Sequence, residues 1–467
     1  MDTDVFVETV VAKIHNYLGG SENVVESLSH TSLAKLTDLA LPLEGMGYET
    51  ILGDIDYFLK YSVRTDHPGF MNPLWGGINI TAFLGEVVAS LTNNSMYTYE
   101  LSPVATLIEQ SLIKRMCELV GFGDGNGTFT TGGSNGNMIG MICARHKSNP
   151  AGLRNGYDSQ KLVCFVSSES HYSVRMSAAV IGLGLNNLIS VACDEHGKMR
   201  PDKLLEEIQF AKVNGQVPFC VVATAGTTVR GAFDPIKEIA QICDDHEMWL
   251  HVDAAWGGSS IFSAKYRHLM DGIELADSLC WDAHKMMGIP LVCSAFLIKQ
   301  PKLLDQLYNF TETAHYLFQE DTNNIDLGRL SIQCGRRNDA LKLFLAWREK
   351  GDAGWARLVE SYMDLADYLE EKVNQSPELE MVSNREWTNV CLRYHKQGHD
   401  LDDLNAKIRE QIKINGKYMI SRSTINDKVI LRPVIANHAI TRESIDGLVD
   451  EIITIGNELI SGIPQKK

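Results

Sequence analysis

The chain opens on apolar residues at helical spacing. The stretch VFVETVVAKIHNYL repeats them three and four apart, and Gly19-Gly20 follows as a stop signal, so roughly the first sixty residues read as helical. From about residue 66 the pattern changes. Short β-branched runs, KLVCFVSS, NLISVAC, PFCVVATAG, WLHVDAAW and SLCWDAH, end in small or polar residues. Amphipathic stretches such as PDKLLEEIQFAK and PIKEIAQICDDH lie between them. Strands alternating with helices predict an α/β fold with a mostly parallel sheet covered on both faces. Ligands of such folds sit at the carboxyl ends of strands. After about residue 341 come two long helical stretches, ALKLFLAWREKG and SYMDLADYLEEKVNQ, short strands in MVSN, TNVCLRYH and KVILRPVIA, and a final helix, ESIDGLVDEIITIGNELI. The expected organisation is an N-terminal helical segment over 1–65, a large domain over 66–340 and a smaller α+β domain over 341–467.

Composition narrows the class. Of 467 residues, 44% are hydrophobic and 22% charged, enough apolar material for a large core. The net charge of −16 comes without a basic tract, which argues against nucleic acid or an anionic membrane as partner. The ten cysteines form no CxxC pair and no Cys/His cluster of zinc spacing, so no metal site is expected and reduced thiols in the cytoplasm are. The start, MDTDVFVETV, is acidic and lacks a signal-peptide pattern, and the apolar runs are shorter than a membrane span.

Four motifs carry candidate chemistry, each after a predicted strand. Trp281-Asp282-Ala283-His284-Lys285 ends in a lysine whose burial is expected to lower its pKa and free its amine for an imine. His251-Val252-Asp253-Ala254-Ala255 supplies a carboxylate that can pair with a ring nitrogen, or cap a helix. Thr130-Thr131-Gly132-Gly133-Ser134-Asn135-Gly136-Asn137 opens an amphipathic segment and suits a phosphate at a helix N-terminus; a plain glycine turn is the alternative. Ser167-Ser168-Glu169-Ser170-His171-Tyr172-Ser173 offers an imidazole that can stack on a flat cofactor or serve a structural role.

Taken in order, these motifs resemble the group II pyridoxal 5′-phosphate (PLP) dependent amino-acid decarboxylases, over nearly the whole chain after about residue 66. The most specific pieces are SHYSVRMSAAVIGLG, ATAGTTVRGAFDPI, WLHVDAAWGGS and HKMMGIPLVCSAFLI. The resemblance implies the fold-type I architecture of the aspartate aminotransferase kind, with a central sheet of the seven-stranded type and the active site shared across a homodimer. It implies that Lys285 holds PLP as a Schiff base and that Asp253 pairs with the pyridine nitrogen. His171 would stack over the ring and Ala255 would pack its other face, with Thr224 beside the ring near Lys285. Gly133, Ser134 and His284 would bind the phosphate, and Arg432 the substrate α-carboxylate. Contacts to that carboxylate would set the Cα–COO⁻ bond perpendicular to the ring, favouring loss of CO₂ over transamination.

Asn94-Ser95-Met96-Tyr97-Thr98-Tyr99-Glu100 is similar to the side-chain pocket of the acidic-substrate branch, with Ser95 and Tyr97 closer to the cysteine-sulfinate version. The expected substrate is cysteine sulfinate, aspartate or glutamate. Three departures stand against the family pattern. Phe70-Met71-Asn72-Pro73-Leu74-Trp75 stands where the family's acidic members carry Phe-Asn-Gln-Leu; by the resemblance Asn72 and Trp75 would line an altered pocket, and Pro73 removes an amide donor. Asp282-Ala283 replaces Asn-Pro, with little effect expected. The stretch from Glu320 to Leu330 is short and lacks the tyrosine that returns a proton to Cα, which motivates an aldehyde-forming oxidative reading. The same motifs also fit a decarboxylase of 2,4-diaminobutyrate or an aromatic amino acid, or a catalytically dead PLP-binding scaffold. The intact Lys285, Asp253 and His171 argue against the scaffold.

Overall fold

A computed structural model describes residues 1–36, 38–157, 161–310, 314, 316–318 and 325–462. In chain order the strands are β1 (Phe70–Met71), β2 (Asn126–Thr130), β3 (Leu162–Ser167), β4 (Leu188–Val191), β5 (Val217–Thr224), β6 (Trp249–Asp253), β7 (Ser278–Asp282), β8 (Ser294–Ile298), β9 (Leu379–Met381), β10 (Leu392–Tyr394), β11 (Met419–Ile425) and β12 (Lys428–Arg432). The chain divides into two compact units, one over 78–363 and 383–389, the other over 1–77, 364–382 and 390–467. The helical run Ala340–Gln375 belongs to both and is interrupted at Gly351, whose φ of 61° breaks the helix.

The larger unit holds a seven-stranded sheet in the order β2-β8-β7-β6-β5-β3-β4. Strands β4, β3, β5, β6 and β7 run parallel, and β8 pairs antiparallel with both β7 and β2. Every residue of β3, β6, β7 and β8 is buried, as expected of continuous apolar strands with helices on both faces. The helix Gly133–Ser148 packs directly on this sheet. A Cβ on Gly136 would lie 2.7 Å from Cys280 Cβ, and one on Gly140 only 2.4 Å from His251 Nδ1. Two glycines one turn apart therefore bring the helix backbone against β6 and β7. The part of "TTGGSNGNMIG" beyond the turn acts as a packing face, which the glycine-turn reading does not foresee.

The smaller unit has a five-stranded sheet, β1-β11-β12-β10-β9, with β1 parallel to β11 and the remaining pairs antiparallel. Helix Leu401–Asn415 is capped by Asp400, which accepts from the N–H groups of Asp402 and Asp403, and ends at Gly416 with a φ of 77°. Helix Arg442–Ser461 starts at a reciprocal cap between Thr441 and Ser444. Among the described residues no helix is long and apolar enough to cross a membrane.

Candidate active site

The sheet brings the candidate motifs of the larger unit together at one edge. Strands β2, β3, β5, β6 and β7 end at Thr130, Ser167, Thr224, Asp253 and Asp282. Gly133, His171, Ala255, His284 and Lys285 follow within a few residues of these ends. The turns after β5 and β6 interlock: Gly257 N–H donates to Ala225 O at 2.9 Å, and a Cβ on Gly226 would lie 2.9 Å from Gly257 N. Gly226, at φ +86°, is required both for the turn and for this approach. Buried Asp234 fastens the same turn from behind by accepting from Met199 N–H at 2.6 Å and Thr224 N–H at 2.7 Å.

Asp253 is buried, and both of its oxygens are engaged. Asn137 Nδ2 donates to Oδ2 at 2.8 Å, and Ala255 N–H donates to Oδ1 at 3.2 Å. Cys280 Sγ lies 3.4 Å from Oδ1. Behind Asp253, His251 Nε2 meets Asn137 Oδ1 at 3.0 Å and its Nδ1 meets Ser278 Oγ at 2.8 Å. Burial pushes the His251 imidazole down to about 4, so it is neutral at neutral pH. His171 Nδ1 lies 2.8 Å from Ser173 Oγ. Burial lowers its pKa too, against the opposing pull of Asp253.

Lys285 Nζ lies 3.2 Å from Asp282 Oδ2. This overturns two sequence expectations. Burial alone does push the lysine downward, but the carboxylates of Asp282 and Asp253 outweigh it, and the net direction is upward. Asp282, expected to matter little, is the nearest counter-charge to the lysine. It is 2% exposed, and His284 Nε2 stands 3.6 Å from the same Oδ2. His284 Nδ1 lies 2.8 Å from Cys293 O, and burial lowers the pKa of this ring.

The residues present suit PLP. A Cβ on Gly133 would lie 2.8 Å from Asp282 Oδ2 and 3.0 Å from Ala255 Cβ, so only glycine leaves this seat open at the start of helix Gly133–Ser148. Ser134 is exposed one residue further along. Thr224 Oγ1 and Asp282 Oδ1 are buried without a hydrogen-bond partner among the described residues, which suits groups that await a ligand.

Ser95 Oγ donates to Cys334 O at 3.3 Å, while the Tyr97 ring lies tilted against Phe318 with centroids 5.2 Å apart and its carbonyl accepts from Gly328 N–H at 2.8 Å. Asn72, Trp75 and Arg432 belong to the smaller unit. There Trp75 faces Phe70 with ring centroids 5.8 Å apart, and the buried Arg432 donates through Nε to Ser421 Oγ at 2.9 Å. Residues 320–324 of the stretch without the tyrosine lie outside the described residues. Among the described residues no cluster of His, Cys, Asp and Glu could hold a metal ion. Sequence reading missed Asn137, His251 and Cys280 as neighbours of Asp253, although Asn137 and His251 stand inside motifs it singled out.

A lysine, a strand-end carboxylate and a glycine seat at one sheet edge define a PLP-dependent enzyme of the α/β class. The family described as pyridoxal-dependent decarboxylase conserved domain matches residues 31–395, and the chain belongs to it. The chain is 38% identical over 456 residues to the acidic amino acid decarboxylase GADL1 of Bos taurus, covering 94% of this chain and 87% of that protein. It is likewise 38% identical to the cysteine sulfinic acid decarboxylase of Homo sapiens, over 94% of this chain and 92% of the relative. The crystal structure of mouse CSAD in apo form superposes with a TM-score of 0.92 at 35% identity, covering 97% of this chain and 99% of that one. The protein is an amino-acid decarboxylase that uses PLP.

Proposed function

We propose that this enzyme decarboxylates an acidic L-amino acid, cysteine sulfinate, aspartate or glutamate, at the Lys285 site. The observation that carries the choice of substrate class is the 38% identity, over nearly the full chain, to relatives named for acidic substrates. When bound, PLP supplies an electron sink for the pair left at Cα as CO₂ departs. Lys285 attaches the cofactor, and Asp253, held by Asn137 and the Ala255 amide, receives its ring nitrogen. By the family resemblance His171 and Ala255 would hold the ring, and Thr224, whose Oγ1 is buried without a partner among the described residues, would lie beside it. Gly133, Ser134 and His284 seat the phosphate at a helix N-terminus, where backbone N–H groups and the helix dipole favour an anion. By the family resemblance Arg432 would take the α-carboxylate, Ser95 and Tyr97 would hydrogen-bond the side-chain acid, and Asn72 and Trp75 would shape the substrate pocket.

The test is a panel of L-amino acids with CO₂ release measured and the organic product identified by mass. Amine from cysteine sulfinate, aspartate or glutamate supports the proposal. Turnover restricted to diamino or aromatic substrates refutes the acidic assignment. Aldehyde as main product, with peroxide formed under air, supports the oxidative reading that the missing tyrosine between Glu320 and Leu330 motivates.

The working form is a homodimer that shares its sites. Ile80, Leu84, Val88 and Leu91 expose an apolar face of helix Ile80–Thr92, a surface that a second copy would cover. The N-terminal helical segment is a further candidate for this interface. We place the enzyme in the cytoplasm, in keeping with ten cysteines free of disulfides.

A further inference from the structure

Buried Asn137 touches two groups to which the proposed function gives separate tasks. We propose that Asn137 is a positioning residue that couples Asp253 to His171 through the Ser173 hydroxyl and, with the Ser173 backbone N–H, holds the proton of His171 on Nε2. The inference rests on the functional reading of Asp253 and His171 given above.

The argument starts from the carboxylate, which can only accept hydrogen bonds. Asn137 Nδ2 lies 2.8 Å from Asp253 Oδ2, so the amide must turn its NH₂ group that way. Its oxygen then faces His251 Nε2 at 3.0 Å, and this nitrogen must carry a hydrogen. His251 Nδ1 therefore accepts, and Ser278 Oγ, 2.8 Å away, donates to it. Ser278 Oγ in turn accepts from Trp249 Nε1 at 2.9 Å. The Cys280 thiol completes the set by donating to Asn137 Oδ1 at 3.0 Å. One amide hydrogen of Asn137 remains, and Ser173 Oγ lies 3.4 Å from Nδ2 to accept it.

Ser173 Oγ, having accepted from Asn137, keeps its own proton for His171 Nδ1 at 2.8 Å. The backbone N–H of Ser173 points to that nitrogen as well, at 3.3 Å. His171 Nδ1 is thus an acceptor twice over. The neutral ring carries its proton on Nε2, which has no hydrogen-bond partner among the described residues and is left as a donor for substrate. Burial, which lowers the basicity of this ring, favours the neutral form in which the distinction matters. A single amide, with the Ser173 hydroxyl as its extension, therefore orients the carboxylate meant for the cofactor nitrogen and reinforces the tautomer that the Ser173 backbone N–H also favours.

The test uses the full-length enzyme. Wild type must first bind PLP and release CO₂; failure there removes the functional reading itself rather than the coupling alone. Asn137→Ala is expected to raise the dissociation constant for PLP, read by quenching of intrinsic fluorescence, by about 10- to 100-fold, because Asp253 loses a donor. Ser173→Ala is expected to leave that constant and KM within about twofold but to lower kcat about tenfold, and Ser173→Thr, which keeps the hydroxyl, is expected to restore kcat. The double variant should have a kcat no lower than Asn137→Ala alone, since both changes cut one chain. Losses that multiply, or Ser173→Ala with wild-type kcat, overturn the proposal. Should Asn137→Ala fail to fold, the Ser173→Ala and Ser173→Thr pair decides the matter.

Discussion

Replacing Asp282 with asparagine keeps the shape of the side chain and removes the charge nearest Lys285. Lys285 Nζ stands 3.2 Å from Asp282 Oδ2, and that carboxylate is 2% exposed. Opposite charges at this separation attract by about 5 kcal/mol at an effective dielectric of about 20. Burial works against the ammonium, yet the carboxylates win and the amine is more basic than an ordinary lysine. A basic lysine is a poor nucleophile, because only the neutral amine attacks an aldehyde. Losing Asp282 removes the largest upward influence and leaves Asp253 and Cys280 to oppose burial. If only about a quarter of the attraction is realised, roughly 1.4 kcal/mol, the fraction of free amine at neutral pH rises about tenfold. The assay mixes cofactor-free protein with PLP at a series of pH values and follows the absorbance change on covalent capture. Asp282→Asn should capture faster at neutral pH, with its pH midpoint at least about one unit lower than wild type. A midpoint that stays put or moves upward would refute the assignment of Asp282 as the partner of the lysine.

Two further outcomes follow from the buried face behind the site. Gly140→Ala places a Cβ 2.4 Å from His251 Nδ1 and 2.6 Å from Cε1, and should cost about 1–3 kcal/mol, read as a lower urea midpoint; wild-type stability in this variant would mean that the helix does not press on β6 as described. His251, held near 4 by burial, makes stability fall as pH drops, because the unfolded chain takes up a proton from about pH 6.5 that the folded state refuses until about 4. That window corresponds to roughly 3 kcal/mol, so His251→Gln should show a flatter acid limb of urea midpoint against pH, and superimposable limbs would contradict it.

Much of this was legible in the sequence because the chemistry stands in short motifs at strand ends. The alternation of apolar runs and amphipathic stretches foretold the sheet, and TTGG, SHYS, HVDAA and DAHK each stand at or just beyond a strand's carboxyl end. Local spacing does not reveal partners far apart in the chain. Asn137 reads as the tail of a glycine turn, yet it bonds Asp253 across 116 residues and His251 across 114. Gly136 reads as part of a glycine turn and Gly140 as one position of an amphipathic segment, yet they prove to be contact points for Cys280 and His251. The basicity of Lys285 was misjudged because burial is visible in an apolar motif, whereas the opposing distance to Asp282 is a property of the folded turn.

The central claim, that Lys285 attaches the cofactor, is tested most directly by reducing the PLP-loaded enzyme with borohydride and locating the added mass by peptide sequencing. The account predicts a single pyridoxyl adduct on Lys285, absent in Lys285→Ala. An adduct on another lysine, or one that persists in Lys285→Ala, would contradict it.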